Sequence, residues 1–495
     1  MRRVEVLIAG CGPCGLGAAL ELEESGHAGR SGSYLVVDPS PHPGGWAASR
    51  ETPEGFVFDY GGHVLFPHKY YPKFADLLDS LPIEWVASVP RRGVNLEGQF
   101  MPYPAQRNLQ RLPPGKLLAV LASLMLRRLR FRRQSGAGAD LESYLLQQFG
   151  QYLTKALMGP LNSKMWAHAT STLSNHWVTL RSGSKQRNVA DVSLRQTMRN
   201  VLTQQDSPGW TSDTFVTYPS KGGSGAIWSA IASKIPAAKM LLGHGIESIS
   251  LRDRIATLDN GEQVKYKYLI SSMPIDTLLR SIPGRADLRA QAARFVCARS
   301  RLYGFGVEGV LAEEYEGLHS FHVPDSDQPF WRVTFPSNVS AGTAPEGAFS
   351  VLCEVSEPKS EPAQDRDELE RRVEAGLRKL GVIGEGQKVI SRFHQTIEHG
   401  YPVPFLGRDQ LLNEVQRVLE PAGIYSRGRF GAWKYEISNQ DHAFMQGVEV
   451  VQRLLYGVPE KTYSDPFQVN ELTDESLENE TRAEEYETMH AASAG

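Results

Sequence analysis

The residues able to do chemistry lie toward the two ends of this chain. Near the start, Gly10-x-Gly12-x-x-Gly15 follows the apolar run 4–9 and opens a segment read as a helix over 16–24. Glycines at this spacing permit a tight turn and let backbone approach a pyrophosphate at a helix N-terminus. Asp38, about two dozen residues further on, ends the run YLVVD, where a carboxylate takes ribose hydroxyls. Glycine-paired loops follow, at Gly44-Gly45-Trp46 and at Asp59-Tyr60-Gly61-Gly62-His63, and would bring backbone against a flavin ring. Toward the other end, RGRFGAWKYEISNQDH (427–442) places the polar run Asn439-Gln440-Asp441 ahead of a helix read over 443–455. Such a helix start holds anionic or carbonyl groups of a ligand. Nothing resembles a second, nicotinamide-type fingerprint, so the dinucleotide is read as FAD. Cys11 and Cys14 form CGPC, but both fall on variable positions of the glycine turn, which argues against a redox pair.

These groups need a large scaffold. At 495 residues the chain is expected to form two to four lobes. The fold class is α/β: a Rossmann-type FAD domain, an inserted helical lobe and an antiparallel sheet domain. The expected division is discontinuous. Residues 1–90, 210–290 and 405–465 form the FAD domain, 91–209 a mainly helical lobe for substrate and self-association, and 291–404 the sheet domain. Residues 466–495 form an acidic, apolar-poor tail that is loosely held. Arg2-Arg3 and the run after them read as a first strand rather than a leader peptide. The apolar stretch 117–126 is too short to span a bilayer, and the arginine-rich stretch after it reads as a solvated helix face. The formal net charge of −3 gives no argument for nucleic acid. Four cysteines without ligand spacing exclude a disulfide scaffold and suggest neither zinc nor any other metal. A cytoplasmic protein is expected.

Several further segments carry a resemblance: FDYGGHVLF (58–66), Pro102-Tyr103-Pro104, Asn162 with Trp166, Pro219-x-x-Gly222-Gly223-x-Gly225 and His399-Gly400-Tyr401-Pro402. With the opening segment, they resemble the UDP-galactopyranose mutases, most closely the eukaryotic type, over nearly the whole chain to about residue 467. The resemblance implies an isomerase that interconverts pyranose and furanose forms of a nucleoside-diphosphate hexose. Reduced FAD would attack the anomeric carbon through N5 and form a covalent adduct, and NADPH or NADH would supply the electrons. Arg181 and Arg332 would hold the diphosphate, one from each of two mobile loops, with 182–184 and 336–341 closing over the substrate. Tyr401 and Tyr435 would bond the same phosphates. Asn439 would lie near sugar and flavin, Arg429 near the cofactor and His63 beside the flavin ring. The family also implies self-association.

The departures bear on specificity. His322 replaces a phosphate-binding tyrosine, and its charge is expected to vary with pH. Tyr103, Gln106, Asn162 and Trp166 keep the base-pocket pattern. Ala105 and Leu157, however, stand where the eukaryotic type carries phenylalanines, Leu161 where it has a tyrosine and Gly159 where it has an arginine. Loss of a ring–base stack costs about 1–3 kcal/mol, so the pocket is expected to be enlarged for a GDP-hexose. UDP-galactose is the alternative donor. A second alternative is another FAD oxidoreductase of the same fold, and a third is a non-catalytic sugar-nucleotide binder.

Overall fold

The computed structural model describes residues 1–27, 33–63, 65, 70–96, 98–130 (backbone alone at 128–130), 140–179, 192–207, 216–466 and 469. The first strand, Arg2–Ala9, is apolar and buried on both faces over its second half, 6–9. It pairs in parallel with Tyr34–Asp38 on one side and Gln263–Ser271 on the other. Met240–Leu242 and Ile424–Ser426 extend the parallel core, while Ile255–Leu258 and Ile246–Ser250 add an antiparallel edge. The glycine turn follows the first strand, at the carboxyl edge where open α/β sheets bind ligands. Pro13 starts the helix Pro13–Glu24, its fixed φ suiting a first helical residue. The helix Gln440–Tyr456 lies against it so closely that a Cβ on Gly447 would stand 1.9 Å from the carbonyl oxygen of Cys14. Only glycine permits that approach.

The second sheet has seven strands, in the order Val389–Pro402, Cys297–Glu308, Ala348–Pro358, Arg332–Thr334, Ser320–His322, Arg92–Leu96 and Gln99–Pro102. The last two lie within the range expected to be helical, and Arg92–Leu96 pairs in parallel with Ser320–His322, so the sheet is mixed rather than purely antiparallel. The helices Pro114–Arg130, Leu141–Leu153, Gly159–Trp166 and Leu194–Thr203 form the inserted lobe. Among the described residues no helix is long and apolar enough to cross a membrane. Apart from 466 and 469, the acidic tail lies outside the described residues.

The end of the described chain docks onto Gln440–Tyr456 through Glu449, whose carboxylate accepts from Thr462 N–H and Oγ1, both at 2.8 Å. Burial pushes this carboxyl up from 4.5 to about 7, while the Thr462 bonds oppose the shift and Glu460 adds to it. The folded state therefore binds this proton more tightly than the unfolded state does. The contribution to stability is fully present below the unfolded value and is lost as pH rises through about 7. Glu449→Gln, which keeps both contacts, is expected to remove about 3 kcal/mol of pH-dependent stability between pH 5 and 8. Thermal melts at the two pH values check this: the variant gains stability over wild type at pH 8 only. An equal shift at both would show that Glu449 is not the titrating group.

Candidate active site

A single cavity of about 1620 Å³ runs from the glycine turn to the second sheet. That exceeds the roughly 300–1,000 Å³ of a site for one small ligand, so it has room for a cofactor and a substrate together. At its first end, Gly10, Gly12, Asp38 and Gly45 line the wall. Asp38 accepts from the N–H groups of Cys11 (2.6 Å) and Ser40 (2.7 Å), so this carboxylate also ties the glycine turn to the second strand. Gly12 caps Pro13–Glu24 without a side-chain bond, which leaves the first N–H groups of the helix facing the cavity end. Gly15 sits beneath the turn, behind the wall. These features fit a dinucleotide pyrophosphate. Burial pushes the thiols of Cys11 and Cys14 up to about 12, far from the thiolate that redox chemistry needs.

In the middle, Gly61, Gly62 and His63 face Asn439 and Gln440 across the cavity. Asn439 caps Gln440–Tyr456 with backbone alone, so its side-chain amide is not used as a cap. Gln440 is fixed by the indole N–H of Trp228, 2.6 Å from its Oε1. His63 Nδ1 lies 3.3 Å from Ser224 Oγ.

Charge gathers at the far end. Arg92, Arg332, Arg429 and Glu354 line it with Tyr401 and Tyr435. Arg429 is held by the Ser438 hydroxyl at 2.8 Å and the Gly400 carbonyl at 3.2 Å, and lies over the rings of Tyr401 and Tyr435. Arg332 lies in a strand rather than in the loop expected for it. It opens the short strand Arg332–Thr334, paired on both sides, and residues 336–339 form a short helix. Burial opposes its charge, but Glu354 restores it, so its guanidinium stays firmly protonated. Burial also holds the hydroxyls of Tyr401 and Tyr435 in the protonated, donating form.

His322 stacks on Trp331, with ring centroids 5.8 Å apart, and its Nδ1 is buried without a hydrogen-bond partner. Burial, then Arg332 and Arg92, push it down to about 3. The pH-dependent charge expected for this histidine therefore does not arise: it stays neutral near pH 7. His63 is likewise pushed down to about 3 by burial, Arg332 and Arg429.

The expected base-pocket residues sit differently. Of these, Tyr103 lies beside the cavity, its ring 5.8 Å from that of His322. Ala105, Leu157 and Trp166 are buried in the lobe's apolar core with Leu109, Leu153 and Met158. Gln106 and Asn162 are buried too, and Asn162 Oδ1 accepts from Trp166 Nε1 at 3.3 Å. None of these five lines the cavity. Ala105 and Leu157 are thus part of the lobe's buried apolar cluster. Trp166 instead braces the tyrosines, edge-on to Tyr435 at 4.8 Å and Tyr401 at 5.9 Å. Arg181 lies outside the described residues. Sequence reading missed Arg92 and Glu354. The available signal for Glu354 was a carboxylate within the mostly apolar stretch 349–355 of the strand Ala348–Pro358.

Comparison with known proteins places these features. Residues 13–455 match the flavin containing amine oxidoreductase family. A crystal structure of reduced UDP-galactopyranose mutase is 34% identical to this chain, covers 94% of it and 99% of its own length, and has a TM-score of 0.87. Cyclohexylamine oxidase from Brevibacterium oxydans IH-35A (15% identity, 91% of this chain and 99% of that one, TM-score 0.62) shares the fold. So does a fatty acid isomerase from P. acnes (14%, 91% and 99%, TM-score 0.59).

Proposed function

The chain belongs to the flavin-containing amine oxidoreductases and, among them, to the UDP-galactopyranose mutase family, and from that premise we propose that it interconverts the six- and five-membered ring forms of a nucleoside-diphosphate hexose. The observation that carries this reading is the charged end of the cavity. Three guanidiniums and one carboxylate leave two net positive charges there, flanked by two tyrosine hydroxyls. A sugar-nucleotide diphosphate carries two negative charges. An amine or polyene substrate would call instead for an apolar, uncharged end.

When bound and reduced, FAD supplies the nucleophile for the anomeric carbon, and NADPH or NADH is the proposed source of its electrons. The chain's own part is positioning and charge stabilisation. Arg332 and Arg181 hold the diphosphate as it leaves and keep it close enough to return. Tyr401 and Tyr435 donate to the same oxygens. Asn439 and Arg429 orient the sugar against the ring held by Gly61, Gly62 and His63.

For the base, the small and aliphatic side chains of Ala105 and Leu157 favour guanine, hence a GDP-hexose donor, provided the core around them opens on binding. The burial of both residues in an apolar cluster supports the second reading, UDP-galactose, which also has the name of the 34% identical relative behind it. Incubating the dithionite-reduced protein with GDP-hexoses and with UDP-galactose, and resolving ring isomers by chromatography, separates the two. Turnover of UDP-galactose with GDP-hexoses inert removes the guanine reading. No isomer from any donor, together with net oxidation of an amine, removes the mutase reading.

A further inference from the structure

A carboxylate at a diphosphate site weakens the site's pull on its ligand, so Glu354 needs a reason to be there. It is 2% exposed and lies on the strand Ala348–Pro358, directly opposite Arg332 on the neighbouring strand. Its Oε1 accepts from Arg332 Nε at 2.7 Å and from Arg332 Nη2, and also from the Gly62 N–H at 3.1 Å. Its Oε2 accepts from the Tyr401 hydroxyl at 3.3 Å. One side chain thus joins two strands of the sheet to the loop that lines the middle of the cavity.

Arginine carries five N–H donors in a rigid fork. Glu354 takes donors at Nε and Nη2, and Arg332 also lines the cavity, where its other donors can serve an anion. The oxygen that takes Nε and Nη2 also holds Gly62. An anion that draws on the guanidinium changes what Arg332 gives to that oxygen, and with it the hold on the loop.

We propose that Glu354 is a positioning residue that couples the diphosphate arginine to the Gly61-Gly62-His63 loop, so that occupancy of the phosphate end is transmitted to the flavin end. The proposal rests on the mutase reading above. Glu354 touches no reacting atom in this scheme; it acts through Arg332 and Gly62.

The test titrates flavin-loaded protein with UDP and with GDP. Binding is read by calorimetry, and coupling by the change in flavin absorbance at saturation. In wild type, binding brings a spectral change. In Glu354→Gln, which keeps an acceptor but loses the charge, nucleotide binds several-fold tighter while the spectral change falls below half. In Glu354→Ala, nucleotide still binds and the spectral change is absent. Turnover falls about tenfold in Glu354→Gln and about a hundredfold in Glu354→Ala, without a rise in KM. An undiminished spectral change in Glu354→Ala overturns the proposal and leaves the mutase reading standing. If Glu354→Ala does not fold, an undiminished change in the near-isosteric Glu354→Gln overturns it equally. If wild type binds neither nucleotide, the mutase reading and the coupling fall together.

Discussion

Arg332→Ala lowers kcat/KM for the nucleoside-diphosphate sugar by about a thousandfold. Each charge-assisted hydrogen bond to an ionised oxygen contributes roughly 1.5–3 kcal/mol. Two such bonds from one guanidinium therefore contribute about 4 kcal/mol, and each 1.36 kcal/mol is a factor of about ten in rate. The loss falls mainly on kcat, because charge builds on the diphosphate as it leaves and the contacts strengthen in the transition state. Arg332→Lys keeps the charge but loses the planar fork, so it recovers only part of the rate. Steady-state kinetics with reduced enzyme, beside calorimetry with the free nucleoside diphosphate, separate the terms. A variant that turns over within threefold of wild type would take Arg332 out of the diphosphate site.

The same substitution strains the fold. Glu354 is nearly fully buried, and without Arg332 its carboxylate keeps, among the described residues, the Gly62 N–H and the Tyr401 hydroxyl. Breaking a buried ion pair from one side costs about 3–5 kcal/mol. Arg332→Ala is therefore less stable as well as inactive. The double variant Arg332→Ala/Glu354→Ala regains part of the stability, because no charge is left buried alone, but none of the activity. That divergence distinguishes a functional arginine from a structural one.

What could be read in the sequence was what is local. The strand Arg2–Ala9, the glycine turn, Pro13–Glu24 and Asp38 follow one another along the chain, and each is specified by residues within a few positions. Pairing at long range was not legible. Arg92–Leu96 finds its partner at Ser320–His322, more than two hundred residues away, and its short apolar run does not say which sheet it joins. The resemblance implied a loop at Arg332, and the three-residue strand it occupies shows no period to say otherwise. Its strand is set by pairing on both sides with distant segments. The neutrality of His322 was hidden for the same reason: it depends first on burial and then on Arg332 and Arg92, all of which the sheet sets. The resemblance supplied Arg332, Tyr401 and Tyr435, and the cavity brings them together. It said nothing of Glu354, whose partners come from three distant segments.

Gly15→Ala yields protein without flavin. A Cβ on Gly15 would stand 1.8 Å from the carbonyl oxygen of Gly10 and 3.2 Å from Cγ2 of Ile8. The first of these is backbone and cannot rotate away, so either the turn moves or the helix leaves the strand. The turn has little freedom to move. Gly10 sits at φ +111°, and the N–H of Cys11 is already bonded to Asp38. Displacing the helix N-terminus withdraws the N–H groups available to a pyrophosphate, while overpacking of this kind costs about 1–3 kcal/mol or more in stability. The purified variant is expected to hold less than about a tenth of the wild-type flavin, read by absorbance against protein, and to melt earlier. The double variant Cys11→Ala/Cys14→Ala is the matched control in the same turn. It removes both thiols without adding atoms, and neither thiol is ionised near neutral pH. It therefore keeps its flavin and its turnover. Flavin retained in Gly15→Ala would mean that the cofactor is not seated on this turn, and turnover lost from the thiol-free protein would return chemistry to the cysteines.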